Sequence, residues 1–110
     1  MPLRQRLKAD LSPAMKEGDT ELVAVIRSLL AAIGNAEAIE LDAAQPREVQ
    51  GWAEAPRRRL TAADIGSIVG REAEELRSAA AGYERVGQSE EAARLRRRAQ
   101  LVERYLADRS

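Results

Sequence analysis

The strongest constraint on the fold is a run of apolar residues that recurs every three or four positions in the first half of the chain. The run has a 4-3-4-3 spacing, typical of one face of an α-helix: Leu22, Ile26, Leu29, Ile33 and Ala36. Val23 and Leu30 widen this face on one side, and Asp19 stands before it as an N-cap residue. A strand would alternate with a period of two, so we predict a helix here that forms the centre of the core.

Three other segments show the same helical spacing. We expect a first helix from about Pro2 to Glu17, kinked or broken at Pro13, because proline lacks the amide donor that a helix interior uses. A third helix is predicted from Thr61, with Asp64 in an imperfect capping box, to about Val86. The fourth is predicted to open at Ser89 as its N-cap. The apolar faces expected for these three helices are Leu3, Leu7, Leu11 and Met15, then Ile65, Val69, Leu76, Tyr83 and Val86, then Ala92, Leu95, Ala99, Val102 and Leu106.

Two connections define how the helices are arranged. The short junction Val86-Gly87-Gln88-Ser89 predicts that helices three and four form an antiparallel hairpin, which we place against helix two. Residues 41–60 show no periodicity and contain Pro46, Gly51 and Pro56, so they are predicted to form a long irregular connection, with Trp52 packed down as an anchor. We therefore expect an all-α fold, a single domain over residues 1–110 built as a small bundle of about four main helices.

The residue types that are absent exclude several kinds of chemistry. The chain has no His and no Cys, which removes the commonest general base, the commonest metal ligand and any disulfide. No catalytic residue, cofactor or metal is predicted. No apolar run approaches the roughly 20 residues that span a bilayer, and no signal peptide is recognisable in the first residues, so no membrane partner and a cytoplasmic location are expected.

Two arginine clusters are the main candidates for binding. One is Arg57-Arg58-Arg59, beside the long connection, and the other is Arg96-Arg97-Arg98 on the fourth helix, with Arg94 and Arg104 nearby. Arginine forks match phosphate oxygens, so each cluster suggests a phosphate-binding surface. The alternative is an ordinary solvated helix face with pairs such as Glu90 and Arg94. The net charge of zero decides neither way.

The second helix has a further face, opposite its apolar stripe, with small residues around one charge. This face consists of Arg27, Ala31, Gly34 and Ala38, and another helix or a partner could approach it closely. For Arg27 two interpretations stand: an ion pair with an acid on a neighbouring helix, or contact with a ligand.

The order of these features is similar to that of a known family. The first part, LRQRLKADLSPAMKEGDTELVAVIRSLLAAIGNAEAIE, resembles a short amphipathic helix with an "AMK" segment, an acidic turn, and a helix with the pattern "R.L.AAI.NAE". The later part, YERVGQSEEAARLRRRAQLVERYL, resembles "Y..aGr.dLa..E..E...l..YLP". On these residues the chain resembles the YqeY-like family of the GatB/YqeY superfamily. Where that family has Pro and then a tail domain, Ala107 stands here, so the resemblance is to the N-terminal helical domain without the C-terminal tail.

The resemblance implies a role connected with tRNA-dependent amidotransferase and translation. The family label is carbon–nitrogen ligase activity with glutamine as amido-N-donor, but this chain has neither ATP-binding nor amidase machinery, so a non-catalytic module that binds tRNA or a protein partner is expected. The candidate contact residues are Arg27, Asn35, Glu37, Arg57, Arg58, Arg59, Arg94, Arg97 and Arg98. The alternative is a structural homo-oligomer or protein-interaction module without a nucleic-acid role, because heptad-like spacings on helices two and four would suit burial against a second copy.

Overall fold

The computed structural model describes residues 2–44 and 60–108. Within these residues the chain forms four α-helices and no strand: α1 (Leu3–Glu17), α2 (Thr20–Ala44), α3 (Ala62–Arg85) and α4 (Ser89–Asp108). The predicted all-α bundle of four main helices is confirmed. No helix in the described ranges is long and apolar enough to cross a membrane.

A two-residue turn joins α1 and α2 into an antiparallel hairpin. Gly18 ends α1 with a left-handed backbone, φ 72°, which glycine adopts without a Cβ clash. The amide of Asp19 then donates to the Ala14 carbonyl at 3.0 Å. The Asp19 carboxylate accepts from the Leu22 amide at 3.2 Å, so the predicted N-cap of α2 is confirmed.

The α3–α4 pair forms the second hairpin, as predicted. Thr61 and Asp64 complete a reciprocal capping box at the start of α3, with bonds of 3.0 and 2.9 Å. Gly87, at φ 83°, makes the turn between the helices. The Gln88 carbonyl accepts from the Ala92 amide at 3.0 Å. Gln88 therefore holds the N-cap position of α4, one residue before the predicted Ser89.

All four helices contribute to one hydrophobic core. Its completely or almost completely buried large side chains are Leu7, Ile26, Leu29, Ile33, Val69 and Val102. The predicted stripe of α2 is thus at the centre of the core, although Ala36 is only half-buried and Val25, outside the stripe, is 3% exposed. A second, smaller cluster comprises Ala80, Ala92 and Leu95, with Leu76 against it, and belongs to the α3–α4 hairpin alone.

The first helix corrects two predictions. It continues through Pro13 without a break, since residues on both sides of the proline, Leu7 and Ala14, are buried against the rest of the bundle. That packing compensates for the roughly 3 kcal/mol that an internal proline costs. Met15, predicted on the apolar face, is 52% exposed, and Ala14 takes the buried position in its place.

The apolar faces of the second hairpin also differ from the prediction near their ends. Tyr83 and Val86 are 41% and 71% exposed, because they lie in the last turn of α3 and its cap, where only α4 is available for packing. On α4, Tyr105 is buried and its neighbour Leu106 is half-buried. α2 extends to Ala44, four residues into the predicted connection. Residues 45–59 of that connection, including Trp52 and Arg57–Arg59, lie outside the described residues.

Candidate functional site

Both hairpin turns lie at the same end of the bundle. Glu21, in the first turn of α2, forms an ion pair with Arg98 and lies 3.9 Å from Arg94, so the start of α2 runs beside the first half of α4. We call this end the turn end: the turns Gly18–Asp19 and Val86–Gln88 with the helical turns next to them. Away from it, the middle of α1 meets the last turns of α4, where the Tyr105 hydroxyl donates to the Asp10 carboxylate at 2.5 Å.

The α3–α4 hairpin extends further than the α1–α2 hairpin at the turn end. Glu21 lies level with residues between Arg94 and Arg98, whereas α4 begins at Ser89. About seven residues of α4 therefore extend past the level of Glu21. Because the Gly18–Asp19 turn lies two to three residues before Glu21, about four or five residues of α4 extend past that turn, which at 1.5 Å per residue is roughly 7 Å. The small cluster around Ala80 and Ala92 holds this projecting part together.

Among the side chains whose burial the structure describes, those of residues 2–38 and 60–107, the large exposed apolar ones all lie near the turn end. They are Met15, Tyr83 and Val86. Tyr83 and Val86 are three residues apart at the end of α3, and the Val86 amide donates to the Tyr83 carbonyl at 3.2 Å, so the two side chains are neighbours on the projecting tip. Exposed aromatic and aliphatic groups at a projecting, polar-rimmed point are typical of a contact surface.

Two of the predicted α4 arginines connect the two hairpins. Arg98 donates through Nε to the Glu21 carboxylate, and Arg94 pairs with Glu91 at 2.5 Å as well as reaching Glu21. The hydrogen bond from Arg98 is the main reason why the pKa of Glu21 lies below its ordinary value, and the charges of Arg98, Arg94 and Arg97 lower it further. Arg94 forms its ion pair within α4 with Glu91, whereas the sequence had predicted Glu90 as the partner. Arg94 and Arg98 are thus already paired with carboxylates of α2 and α4.

The remaining arginines of the α4 cluster have different surroundings. Arg96 pairs with Glu84 on α3 at 2.5 Å. Arg97 is exposed, and none of the carboxylates in the described ranges lies within ion-pair distance of it. Together with Arg94, Glu90 and their neighbours, it lines a shallow surface depression on α4. Within the Arg96–Arg98 cluster, Arg97 is therefore the arginine that remains most available to a partner.

The candidate residues on α2 are not brought together into one site. Among the described carboxylates none forms the predicted ion pair with Arg27, and the Arg27 Nη2 lies 3.8 Å from the Met15 sulfur. Glu37 is bound by Arg4 of α1 at 2.6 Å, while Asn35 is exposed. The small-residue face of α2 is also exposed, and a Cβ added at Gly34 would meet no atom within 4 Å. None of the described helices covers this face.

A partly buried polar cluster between α1 and α4 was not predicted. Tyr105 is 6% exposed, and its hydroxyl is bonded to Asp10. Its ring lies under the Arg6 guanidinium, whose central carbon is 5.5 Å from the ring centroid. Burial, and then the bond to the Asp10 carboxylate, raise the pKa of the Tyr105 hydroxyl well above its ordinary value. Asp10 lies on the polar side of the predicted α1 stripe, so periodicity gave no reason to pair it with a residue of the last helix.

The interior offers little room for a substrate. A crevice of about 40 Å³ lies between α2, α3 and α4, with Ser28, Glu72 and Arg98 among its lining residues. The Ser28 hydroxyl donates to Glu72 there at 3.2 Å. By the volume that one water occupies, the crevice holds a few waters at most. Across residues 2–44 and 60–108, no group of three or more acidic side chains is arranged to hold a metal ion.

Comparisons with protein-family models, with curated proteins and with solved structures gave no match.

Proposed function

We propose that the chain is a non-catalytic, YqeY-like helical module that binds a protein of the translation machinery through its turn end. The observation that supports this most directly is the exposure of Tyr83 and Val86 on the projecting tip of the α3–α4 hairpin. Tyrosine provides large contact area at a small cost in side-chain entropy and is enriched at the centres of protein interfaces, and Val86 extends the apolar surface beside it.

The charges of the described residues favour a protein partner over tRNA. The whole chain has 18 basic and 18 acidic residues, so its net charge favours neither partner, and the pairing of individual arginines decides instead. Arg77 forms a two-bond pair with Glu103 at 2.9 and 2.6 Å, and Arg96 and Arg98 are paired as well. An arginine bound to a carboxylate must give up that bond to bind a phosphate, which reduces the net gain from the new contact.

The link to translation comes from the resemblance. Arg27, Asn35 and Glu37 match the family pattern, whose label is carbon–nitrogen ligase activity with glutamine as amido-N-donor. We assign this chain an accessory role beside such an enzyme, positioning or stabilising it, in the cytoplasm. The amide transfer itself would belong to the partner.

A specific observation also favours tRNA as a second candidate. Arg97 is exposed beside Arg94, and the sequence holds a further cluster, Arg57–Arg59, outside the described residues. A phosphate backbone would gain from several arginines acting together, with an affinity that falls steeply with salt.

Binding to a purified glutamine-dependent tRNA amidotransferase and to bulk tRNA, each at about 150 mM salt, distinguishes these candidates. We expect the wild-type chain to bind the amidotransferase, and the double variant Tyr83→Ser, Val86→Ser to lose at least tenfold in affinity. The matched control is Ala31→Ser, Ala38→Ser on the exposed face of α2, which should bind as the wild type does. Binding to tRNA that is lost in Arg94→Ala, Arg97→Ala and unchanged in the tip variant would replace the protein proposal with the nucleic-acid one.

A homo-oligomer is tested in the same preparation. Met15, Tyr83 and Val86 together expose on the order of 300 Å² of surface, within the range found on ordinary monomers. A standard interface buries about 800 Å² per partner. Light scattering measures the mass at about 100 µM, the concentration at which a complex with a binding free energy of roughly −5.5 kcal/mol is half formed. We expect the mass of a monomer. A dimer mass that the tip variant abolishes would show self-association through the turn end.

A further inference from the structure

Met15 and Arg27 form a contact between α1 and α2 that is separate from the Tyr83–Val86 tip of the α3–α4 hairpin. Met15 lies in the last turn of α1 with 52% of its surface exposed. Its sulfur is approached by one terminal nitrogen of Arg27 at 3.8 Å. Arg27 itself is exposed, and the described ion pairs do not include it. A full positive charge is therefore directed at an accessible thioether.

We propose that Met15 is an oxidation site whose sulfoxide is bound by Arg27. In this reaction the sulfur lone pair attacks one oxygen of hydrogen peroxide or an organic hydroperoxide, and the O–O bond breaks. The oxygen stays on sulfur, which is oxidised by two electrons, and the other half of the peroxide leaves as water or an alcohol after taking the proton. The product is methionine sulfoxide, which methionine sulfoxide reductases convert back.

The geometry suits the product better than the reactant. A thioether sulfur is a weak acceptor, and 3.8 Å to Arg27 is a long contact. A sulfoxide oxygen stands one bond length out from sulfur and carries partial negative charge, so rotation about the Cγ–Sδ bond brings it to ordinary hydrogen-bond distance from the guanidinium. The new bond has a charged donor, which is the stronger class of hydrogen bond.

The fold tolerates this modification because Met15 is outside the core. Oxidation of a buried methionine places a polar group among apolar ones, which disrupts packing. Here Ala14, 2% exposed, occupies the buried position, so the sulfoxide forms at the surface. Oxidation should therefore strengthen the contact between the end of α1 and α2.

Treatment with millimolar hydrogen peroxide, followed by peptide mass mapping, tests whether the site reacts. We expect one added oxygen on the peptide that contains Met15. A Met15 that stays unmodified while free methionine in the same tube is consumed would overturn the proposal. Met15→Leu retains Met1, so it reports any effect of oxidation at the N-terminus.

Urea unfolding of reduced and oxidised protein then tests the role of Arg27. Oxidation should shift the unfolding equilibrium constant toward the folded state by about two- to fivefold more in the wild type than in Arg27→Ala, the range measured for exposed charged contacts. Met15→Leu should show no shift. Equal shifts in the wild type and Arg27→Ala would show that Arg27 does not bind the sulfoxide and would refute the proposal.

Discussion

Replacing Tyr105 by phenylalanine tests the contact that joins the last helix to the first. The change removes one hydroxyl and keeps the ring, which is 6% exposed and lies under Arg6. The hydroxyl donates to the half-buried Asp10 carboxylate at 2.5 Å, and removing it leaves that carboxylate short of a donor. A buried acceptor without its partner costs about 1–3 kcal/mol. Because water reaches part of Asp10, we expect about 1–2 kcal/mol, the lower part of that range.

Urea unfolding followed by circular dichroism at 222 nm measures this loss. With a denaturant slope of about 1–1.5 kcal/mol per molar, the unfolding midpoint should fall by about 1 M with an unchanged slope. The chain provides a matched control in its other tyrosine: Tyr83 is 41% exposed, and its hydroxyl makes no hydrogen bond within the described ranges, so Tyr83→Phe should leave the midpoint in place. Equal effects of the two substitutions would refute the importance of the Asp10 contact.

The raised pKa of Tyr105 predicts how the stability of the protein depends on pH. The pKa of Tyr105 is raised in the folded state, mainly by burial, above the value near 10 of an unfolded tyrosine. Its contribution to stability is therefore complete below that unfolded value and is lost as the pH rises toward the higher folded value. The wild type should lose stability above about pH 10 faster than Tyr105→Phe does. An identical alkaline loss in both proteins would contradict this.

Three further substitutions test other contacts and backbone positions of the bundle. Glu21→Gln removes the carboxylate that Arg98 binds and should lower the free energy of unfolding by about 0.5–1 kcal/mol at neutral pH. Because folding lowers the pKa of Glu21, the difference in stability between the variant and the wild type should shrink as the pH falls below about 4.3. Gly34→Ala, at a helix position where an added Cβ meets no atom within 4 Å, should raise stability by about 0.5–1 kcal/mol and the melting temperature by about 3–5 °C. Gly18→Ala should lower it, because φ 72° costs a non-glycine residue about 1 kcal/mol. Calorimetry of the three variants checks the signs, and a Gly34→Ala protein that melts below the wild type would show that this face of α2 is covered.

The central fold could be predicted from the sequence because it depends on local rules. The spacing of Leu22, Ile26, Leu29 and Ile33 repeats the helical period, and all but Leu22 are almost completely buried. The N-caps Asp19 and Thr61 and the short α3–α4 junction needed only local chemistry, whereas the N-cap of α4 was predicted one residue too late. Periodicity failed at the helix ends: Met15 has the helical spacing and yet is exposed, since a residue in the last turn is buried only if another element reaches that far.

The candidate site was less accessible to sequence reasoning because it depends on which helices meet. No local sequence pattern indicates that Arg98 on the last helix binds Glu21 on the second, or that Tyr105 bonds to Asp10 in the first helix. The arginine cluster was identified, but its partners lie on other helices. The same limit applies to Arg27, whose neighbour is the sulfur of Met15 and not the predicted acid.

The most direct test of the proposed function is to map where a partner touches the chain. Backbone amide spectra of the ¹⁵N-labelled protein, recorded with and without the glutamine-dependent amidotransferase, report this residue by residue. We predict that the changes concentrate at the turn end, around Gly18 and between Tyr83 and Arg97. Changes confined to the exposed face of α2 around Gly34 and Asn35, with the turn end unaffected, would contradict the proposal that the turn end is the binding surface.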